Sequence, residues 1–287
     1  MLRVCTEQDY KKYAELAYNL ALDKTKSGYP TYCDGIKTQA MFFRRSEEAF
    51  SNDSEGILIF EYEGVVEGWV HYFWLPEERY LSTVSFNIAV HTEQALAEFV
   101  EFAQTNFGGY ELYLGYPLEN MQAIEFLMAN GFECIEESNN NTAFIDRRIR
   151  AEADGEFIRI TRDCFEYFRI LHRMAEDDMY WNSDRIYGDL DNWIVFVCLR
   201  AGEPVGCVYC TVAGENWYEI FGIDMKAGVL DRDVFSGLLL RLLNEVKKLG
   251  GKYVTFFCND EESKISGEVG FEQVGGYVCF KKTLSLG

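Results

Sequence analysis

Basic residues and histidines are scarce in this sequence. Lysine and arginine together number 27 against 47 aspartates and glutamates, which gives a formal net charge of −20. This balance argues against nucleic acid or an anionic membrane as a partner, because both require a basic face. It is compatible with a cationic amine substrate, although an acidic surface can also serve solubility alone. The only histidines are His71, His91 and His172, which argues against a metal site.

Long apolar runs and ordered cysteine spacing are also missing. The sequence passes from Met1 directly into polar residues, so we expect neither a signal peptide nor a membrane span. Nine cysteines, an odd number without framework spacing, indicate reduced thiols and a cytoplasmic location. The 48% hydrophobic content excludes a disordered chain, and 287 residues suit two domains.

The clearest local pattern lies in Trp217–Phe271. It predicts a strand at Trp217–Met225, a helix at Arg232–Leu249 and a strand at Lys252–Cys258. Apolar residues recur through the helical stretch with a 3.6-residue period, which is typical of a helix packed on a sheet. Asp231 is placed to cap the start of this helix.

Parts of the first half of the chain reappear in the second half. In each half an asparagine precedes a Gly-Phe pair by eleven residues, and in each half a glycine-centred hairpin lies upstream. Two independent matches at nearly one offset indicate two copies of one unit. The matching segments are Asn120 to Gly131-Phe132 with Asn259 to Gly270-Phe271, and Gly64–Val70 with Gly202–Val208.

Asn120–Phe132 reads Asn-x-x-Ala-Ile-x-x-Leu-x-x-x-Gly-Phe, and with the strands around it this resembles the GNAT (GCN5-related N-acetyltransferase) superfamily. The resemblance implies an α/β (α+β) fold of two tandem GNAT-like domains, each a mixed, mainly antiparallel sheet flanked by helices. We expect the domains to span 1–150 and 151–287, with Ala151–Gly155 as the linker. The resemblance also implies acetyl-CoA or another acyl-CoA as co-substrate.

In this superfamily a helix begins with (Gln or Arg)-x-x-Gly-x-(Gly or Ala), whose backbone N–H groups hold the coenzyme A pyrophosphate. The first copy has no glycine in His91–Ala97, and Glu93 places a negative charge there. We therefore expect this copy not to bind coenzyme A in the family manner. In the second copy Arg232 and Gly237 match the pattern, while Phe235 replaces the middle glycine.

Two interpretations of the second helix start remain open. In one, the amides of Ser236 and Gly237 still receive phosphate beside Arg232, and Asn259 contributes to the coenzyme site. In the other, Asp231 and Asp233 satisfy the N–H groups and the helix is an ordinary capped one.

Acyl transfer to an amine needs a base, and Glu219 lies on the strand where the family often places one. Its alternative role is a cross-strand polar partner. The resemblance implies that the amides of Phe221, Gly222 and Ile223 face the thioester and pantetheine. The usual acid is a tyrosine four positions before the Gly-Phe glycine, but Leu127 and Ser266 occupy those positions.

The segment Ala175–Leu190 is rich in acidic and aromatic residues, and in this fold it would cover the acceptor. Tyr180, Trp181 and Asp184 are its candidate substrate contacts, although it could also be a surface loop anchored by Trp181. The leading hypothesis is an acyl-CoA-dependent N-acyltransferase that acts on a small-molecule or peptide amine, with a homodimer left open. The alternative is a non-catalytic tandem domain that binds a ligand or a protein partner.

Overall fold

A computed structural model describes residues 1–145, 155–172, 181–214 and 216–285. The chain divides into two compact units, and each contains a mixed sheet and helices. Unit 1 consists of Met1–Ser138 and Gly275–Gly287, and unit 2 consists of Asn139–Val274. Within the described ranges, no helix is both long and apolar enough to cross a membrane.

In unit 1 the strand order is β1-β2-β3-β4-β5-β12, and all neighbours are antiparallel except β4 and β5. Helix α3 makes the crossover that this parallel pair requires. The elements are β1 (Leu2–Val4), α1 (Glu7–Ala21), α2 (Gln39–Glu48), β2 (Glu55–Tyr62), β3 (Val65–Leu75), β4 (Tyr80–Ile88), α3 (Thr92–Asn106), β5 (Glu111–Pro117), α4 (Met121–Ala129), the start of β6 (Glu133–Phe144) and the end of β12 (Phe271–Thr283).

Unit 2 repeats this arrangement with the order β6-β11-β10-β9-β8-β7, in which β10 and β11 are the parallel pair. Both sheets are mixed and mainly antiparallel, as predicted. The further elements are β7 (Glu156–Arg159), α5 (Glu166–His172), α6 (Ser183–Gly188), β8 (Trp193–Arg200), β9 (Glu203–Gly214), β10 (Trp217–Met225), α7 (Arg232–Lys248), β11 (Tyr253–Cys258) and α8 (Asp260–Val269).

The compact units differ from the expected domains 1–150 and 151–287, because β6 and β12 each contribute to both units. The second half of β6 pairs with β11 in unit 2, from Asn139 opposite Cys258 to Phe144 opposite Tyr253. The second half of β12 pairs with β5 in unit 1. The expected linker Ala151–Gly155 lies outside the described residues except for Gly155.

Helix α7 follows the pattern that predicted it. Its apolar stripe is buried in one cluster with residues of β8 to β11, and Asp231 accepts hydrogen bonds from the amides of Asp233 and Val234 as the N-cap. The helix ends at Lys248, so Leu249 lies beyond it and is 56% exposed. The buried stripe comprises Val234, Phe235, Leu238, Leu239, Leu242, Leu243 and Val246.

Candidate functional site

The parallel strand pair of each unit diverges partway along its length. In unit 2, β10 and β11 pair from Trp217–Tyr253 to Ile220–Phe256, and β10 then continues to Met225. A cleft of about 410 Å³ lies beside this last part of β10. Its described lining combines apolar groups with two carboxylates: Leu171, Ile223, Asp224, Met225, Ala227, Gly228, Leu230 and Glu262.

A β-bulge marks the point of divergence. Ile220 pairs with Cys210 and Gly222 with Tyr209, so Phe221 has no partner on β9. In unit 1, Val84 occupies the same position in β4. Bulges frequently occur beside functional sites, where they redirect the strand. Gly222 cannot be replaced there without movement, because an added Cβ would lie 2.2 Å from the Tyr209 hydroxyl.

In unit 1 the corresponding opening is filled by the protein's own chain. β4 and β5 pair only from Tyr80–Glu111 to Ser82–Tyr113, and residues 26–29 then lie between them. The Gly28 amide donates to the Phe86 carbonyl at 2.6 Å, and the Ile88 amide donates to the Lys26 carbonyl at 2.9 Å. On the other side the Tyr29 amide donates to the Gly115 carbonyl at 2.8 Å. We call Lys26–Tyr29 the inserted segment.

Asn120 holds the inserted segment in place, and Gly28 allows the segment to approach β4 closely. The Asn120 side-chain amide donates to the Ser27 carbonyl at 3.0 Å, and both residues are buried. Gly28 lies so close to β4 that an added Cβ would be 3.0 Å from the Phe86 Cβ. The signature asparagine of the first copy therefore binds the protein's own backbone.

At the helix start that resembles a phosphate loop, backbone N–H groups already donate to a carboxylate. Asp231 accepts from the amides of Asp233 and Val234, both at 3.2 Å, and it pairs with Arg200 at 3.0 Å. The Val234 amide is the main cause of the lowered pKa of Asp231, with the Arg200 guanidinium contributing. The Arg232 side chain pairs with Glu268.

Gly237 and Ser236 follow on the first two turns of α7. Gly237 is buried against β7, and an added Cβ would lie 2.5 Å from the Phe157 ring. Its missing side chain therefore serves helix–sheet packing. Ser236 is half-buried.

Asn259 caps α8 in a capping box with Glu262. Its side chain accepts from the amides of Glu261 and Glu262, both at 3.0 Å, and the Glu262 carboxylate accepts from the Asn259 amide at 3.3 Å. Burial raises the pKa of Glu262, which also lines the cleft.

Glu219 is not among the described residues that line the cleft. Its neighbours in β10, Tyr218 and Ile220, belong to the core beneath α7, so Glu219 is on the opposite face of the sheet. It is half-buried, and in the strand register it lies across from Thr211 on β9 and Thr255 on β11.

Among the predicted acceptor contacts, Trp181 lies beside the bulge. Its ring packs on Trp193 with centroids 5.1 Å apart and on Phe221 at 6.2 Å. Asp184, with its side chain 85% exposed, pairs with Arg169 at 3.2 Å. Tyr180 lies outside the described residues.

Known structures resemble the fold of this chain, two of them over its whole length. A GCN5-related N-acetyltransferase from Sphaerobacter thermophilus superposes with a TM-score of 0.62 at 11% identity, over 100% of this chain and 96% of that one. A tandem GNAT protein from the clavulanic acid biosynthesis pathway superposes with a TM-score of 0.53 at 12% identity, over 100% of both chains. A GCN5-related N-acetyltransferase from Kribbella flavida superposes with a TM-score of 0.53 at 12% identity, over 76% of this chain and 88% of that one.

The chain has the tandem GNAT fold. This confirms the resemblance that the repeated Asn–Gly-Phe pattern predicted. No model of a known protein family matches the sequence, and a comparison with curated proteins found no match. At these identities the likeness concerns the fold, and activity has to be argued from the site.

Each unit has one position where GNAT enzymes usually carry a tyrosine, and both positions are buried. Leu127 lies in the core of unit 1, and Ser266 is buried on α8 in unit 2. Neither residue carries the phenol that serves as the usual acid.

One buried polar pair beside the cleft of unit 2 was not predicted from the sequence. Asp224, on the cleft wall, lies 2.8 Å from Nδ1 of His172 on α5. The residues are 52 positions apart. The only signal in the sequence is that Asp224 is a charged residue near the end of a mostly apolar strand.

Proposed function

We propose that unit 2 binds an acyl-coenzyme A and transfers its acyl group to an amine. The observation that carries this proposal is the contrast between the two strand openings. The opening in unit 1 holds the inserted segment of the chain itself, whereas a cleft of about 410 Å³ lies beside the matching part of β10 in unit 2.

The hydrogen bonds of the inserted segment support a ligand that carries amide groups. The segment forms hydrogen bonds with the Phe86 carbonyl and the Ile88 amide of β4. By alignment of the two bulges, Ile223 corresponds to Phe86 and Met225 corresponds to Ile88. An extended chain that carries amide groups can pair with them as a strand does. The pantetheine arm of coenzyme A is a chain of this kind.

The residues present fit the pantetheine arm better than the pyrophosphate. The amides of Phe221, Gly222 and Ile223 lie along the diverging part of β10, as the thioester requires. At α7, Asp231 already occupies amides that phosphate would use, so a bound pyrophosphate depends on Arg232, Ser236 and displacement of that cap. Gly237 and Asn259 support this helix end and α8 through packing and capping.

In the proposed reaction, Glu219 accepts the proton of the substrate ammonium, and the neutral nitrogen attacks the thioester carbonyl. The C–N bond forms, the nitrogen releases its second proton to solvent, and the C–S bond breaks. The departing thiolate takes up a proton from solvent, and Glu219 returns its proton to solvent before the next cycle. Trp181, Tyr180 and Asp184 belong to the segment proposed to cover the acceptor.

A second function, ligand binding without catalysis, is favoured by two specific observations. The Asp231 carboxylate caps the helix end where GNAT enzymes hold phosphate, and Leu127 and Ser266 replace the usual acid. A unit with these features could retain a cleft for a ligand after losing acyl transfer.

Thermal unfolding with acetyl-CoA tests the proposal. Ligand at a hundred times its dissociation constant should stabilise the protein by roughly 2.7 kcal/mol. Ser236→Glu should abolish the shift, whereas Ala97→Glu, an exposed position on α3 of unit 1, should leave it unchanged. Gly237 is unsuitable for this substitution, because any side chain there collides with Phe157.

The outcomes separate the two functions. Absence of a shift in the wild-type protein contradicts acyl-CoA binding. A shift without turnover of any amine supports the non-catalytic function. A shift that survives Ser236→Glu and disappears in Ala97→Glu assigns the site to unit 1 and overturns the proposal.

A further inference from the structure

His172 is completely buried in unit 2, and both of its ring nitrogens face oxygen atoms. Nδ1 lies 2.8 Å from Oδ2 of Asp224, and Nε2 lies 2.9 Å from the backbone carbonyl of Trp181. Its ring stacks on Phe168 with centroids 4.8 Å apart and meets the Tyr209 ring edge-on at 4.9 Å. The imidazole is therefore held by both packing and hydrogen bonds.

The hydrogen bonds determine how many protons this pair carries. A carbonyl oxygen only accepts, so Nε2 must donate to Trp181. An ionised carboxylate also only accepts, so a second proton must lie between Nδ1 and Asp224. A neutral imidazole supplies one proton and the two bonds need two. The pair therefore holds one additional proton, as imidazolium with carboxylate or as imidazole with carboxylic acid, and its net charge is zero.

The other titratable groups around the pair do not supply a positive charge among the described residues. Cys207 Sγ lies 3.9 Å from Oδ2 of Asp224, and burial raises the pKa of this thiol well above its usual value. Burial likewise raises the pKa of Tyr209, so both groups stay neutral. Glu262 interacts with Asp224 from α8. In the described surroundings, His172 is thus the group that balances the Asp224 charge.

The matching position in unit 1 carries no charge. By alignment of the two bulges, Asn87 of β4 is the counterpart of Asp224 of β10. The Asn87 side-chain amide donates to the Ala17 carbonyl on α1 at 3.2 Å. The same strand-to-helix contact is thus made by a neutral amide in unit 1 and by a charge-balanced pair in unit 2.

We propose that His172 is a positioning residue that keeps the Asp224 wall of the cleft electrically neutral and ties it to Trp181 beside the bulge. The consequence for an anionic coenzyme rests on the function proposed above. Without His172, a carboxylate whose side chain is only 16% exposed would face the ligand as an unbalanced negative charge. With it, one buried ring couples the cleft wall to the segment proposed to cover the acceptor.

Nuclear magnetic resonance of the unliganded protein tests the proton count without any ligand. Nitrogen-15 shifts of the His172 ring and the carbon-13 shift of the Asp224 carboxyl should together show two protons on the pair at pH 7. His71 is the internal control, because burial lowers its pKa and its ring should be neutral. A singly protonated His172 ring beside an ionised Asp224 would overturn the proposal.

Coenzyme A binding then tests the consequence. His172→Phe should weaken binding by roughly tenfold or more, because an unbalanced, mostly buried Asp224 carboxylate in the cleft wall repels an anionic coenzyme. Asp224→Asn in the same chain should restore most of the affinity, since it removes the unbalanced charge. Equal loss in the single and double variants would mean that His172 serves packing alone, and the proposal would fail.

Should His172→Phe not fold, His172→Gln keeps a donor for one partner, and its affinity with and without Asp224→Asn gives the same comparison. Failure of the wild-type protein to bind coenzyme A would overturn the proposed function and the ligand consequence together. The proton count would then still be decided by the resonance measurement.

Discussion

Glu219 is the residue on which the proposed chemistry depends most directly. An alkyl amine has a pKa of about 10.4, so at neutral pH it must lose a proton before it attacks. Glu219→Gln keeps the shape and removes the base. Coenzyme binding should persist, and turnover at pH 7 should fall by roughly a hundredfold or more, with partial recovery at higher pH.

Steady-state kinetics from pH 6 to 10 would measure this effect. Glu203→Gln is the matched control, because Glu203 is an exposed carboxylate at the start of the adjacent strand β9. Unchanged turnover and pH profile in Glu219→Gln would remove Glu219 from the mechanism.

A buried polar cluster in unit 1 predicts acid sensitivity. Glu55 accepts from His71 at 2.8 Å and from Arg45 at 2.6 and 2.7 Å. Burial opposes the ionisation of Glu55, but these bonds outweigh it and lower its pKa from 4.5 to about 2. Burial also lowers the pKa of His71 below 6.5.

Both pKa values are lower in the folded protein, so the unfolded chain binds more protons as the pH falls. The stabilisation is complete above pH 6.5. It should decline first through His71 below 6.5, and then through Glu55 between 4.5 and 2, the latter by the order of 3 kcal/mol. Urea unfolding at several pH values would measure the decline, and an equally steep loss below pH 4.5 in Glu55→Gln would contradict its assignment to Glu55.

At the scale of elements, the two signature asparagines distinguish the stability that comes from a helix cap from the stability that comes from holding the inserted segment. Asn120 caps α4 and also holds Ser27, whereas Asn259 is exposed and caps α8. Asn259→Ala should cost about 1 kcal/mol, the usual value of a cap. Asn120→Ala should cost roughly 2 kcal/mol, because a buried hydrogen bond is lost as well.

Urea unfolding would give both costs, and hydrogen exchange would locate them. In Asn120→Ala the amides of Gly28 and Tyr29, which bond to β4 and β5, should exchange faster. In Asn259→Ala their protection should not change. Equal protection in both variants would show that the segment is held by the strands alone.

At the scale of the whole molecule, the net charge of −20 opposes any anionic ligand at long range. Added salt shortens the screening length from about 30 Å at 0.01 M to about 8 Å at 0.15 M. Coenzyme A affinity, measured by titration calorimetry, should therefore rise over this range. A fall with salt would mean that local contacts with cations such as Arg200 and Arg232 dominate.

The sequence by itself determined the repeated unit, the type of sheet and the course of α7. Helix periodicity and capping depend on residues a few positions apart, so the buried stripe and Asp231 could be read directly. The same locality explains why Glu219 was correctly placed on a strand, although its distance from the cleft could not be known.

Only the tertiary structure decided which strands pair, and therefore where each compact unit ends. Alternation along β6 and β12 shows which residues share a face and says nothing about which neighbour they join. The inserted segment lies between β4 and β5 because backbone groups left unpaired by divergent strands need partners, and backbone groups carry no sequence signature. His172 and Asp224 meet across 52 residues because α5 packs on the strands of unit 2, and that contact gives the pair its extra proton.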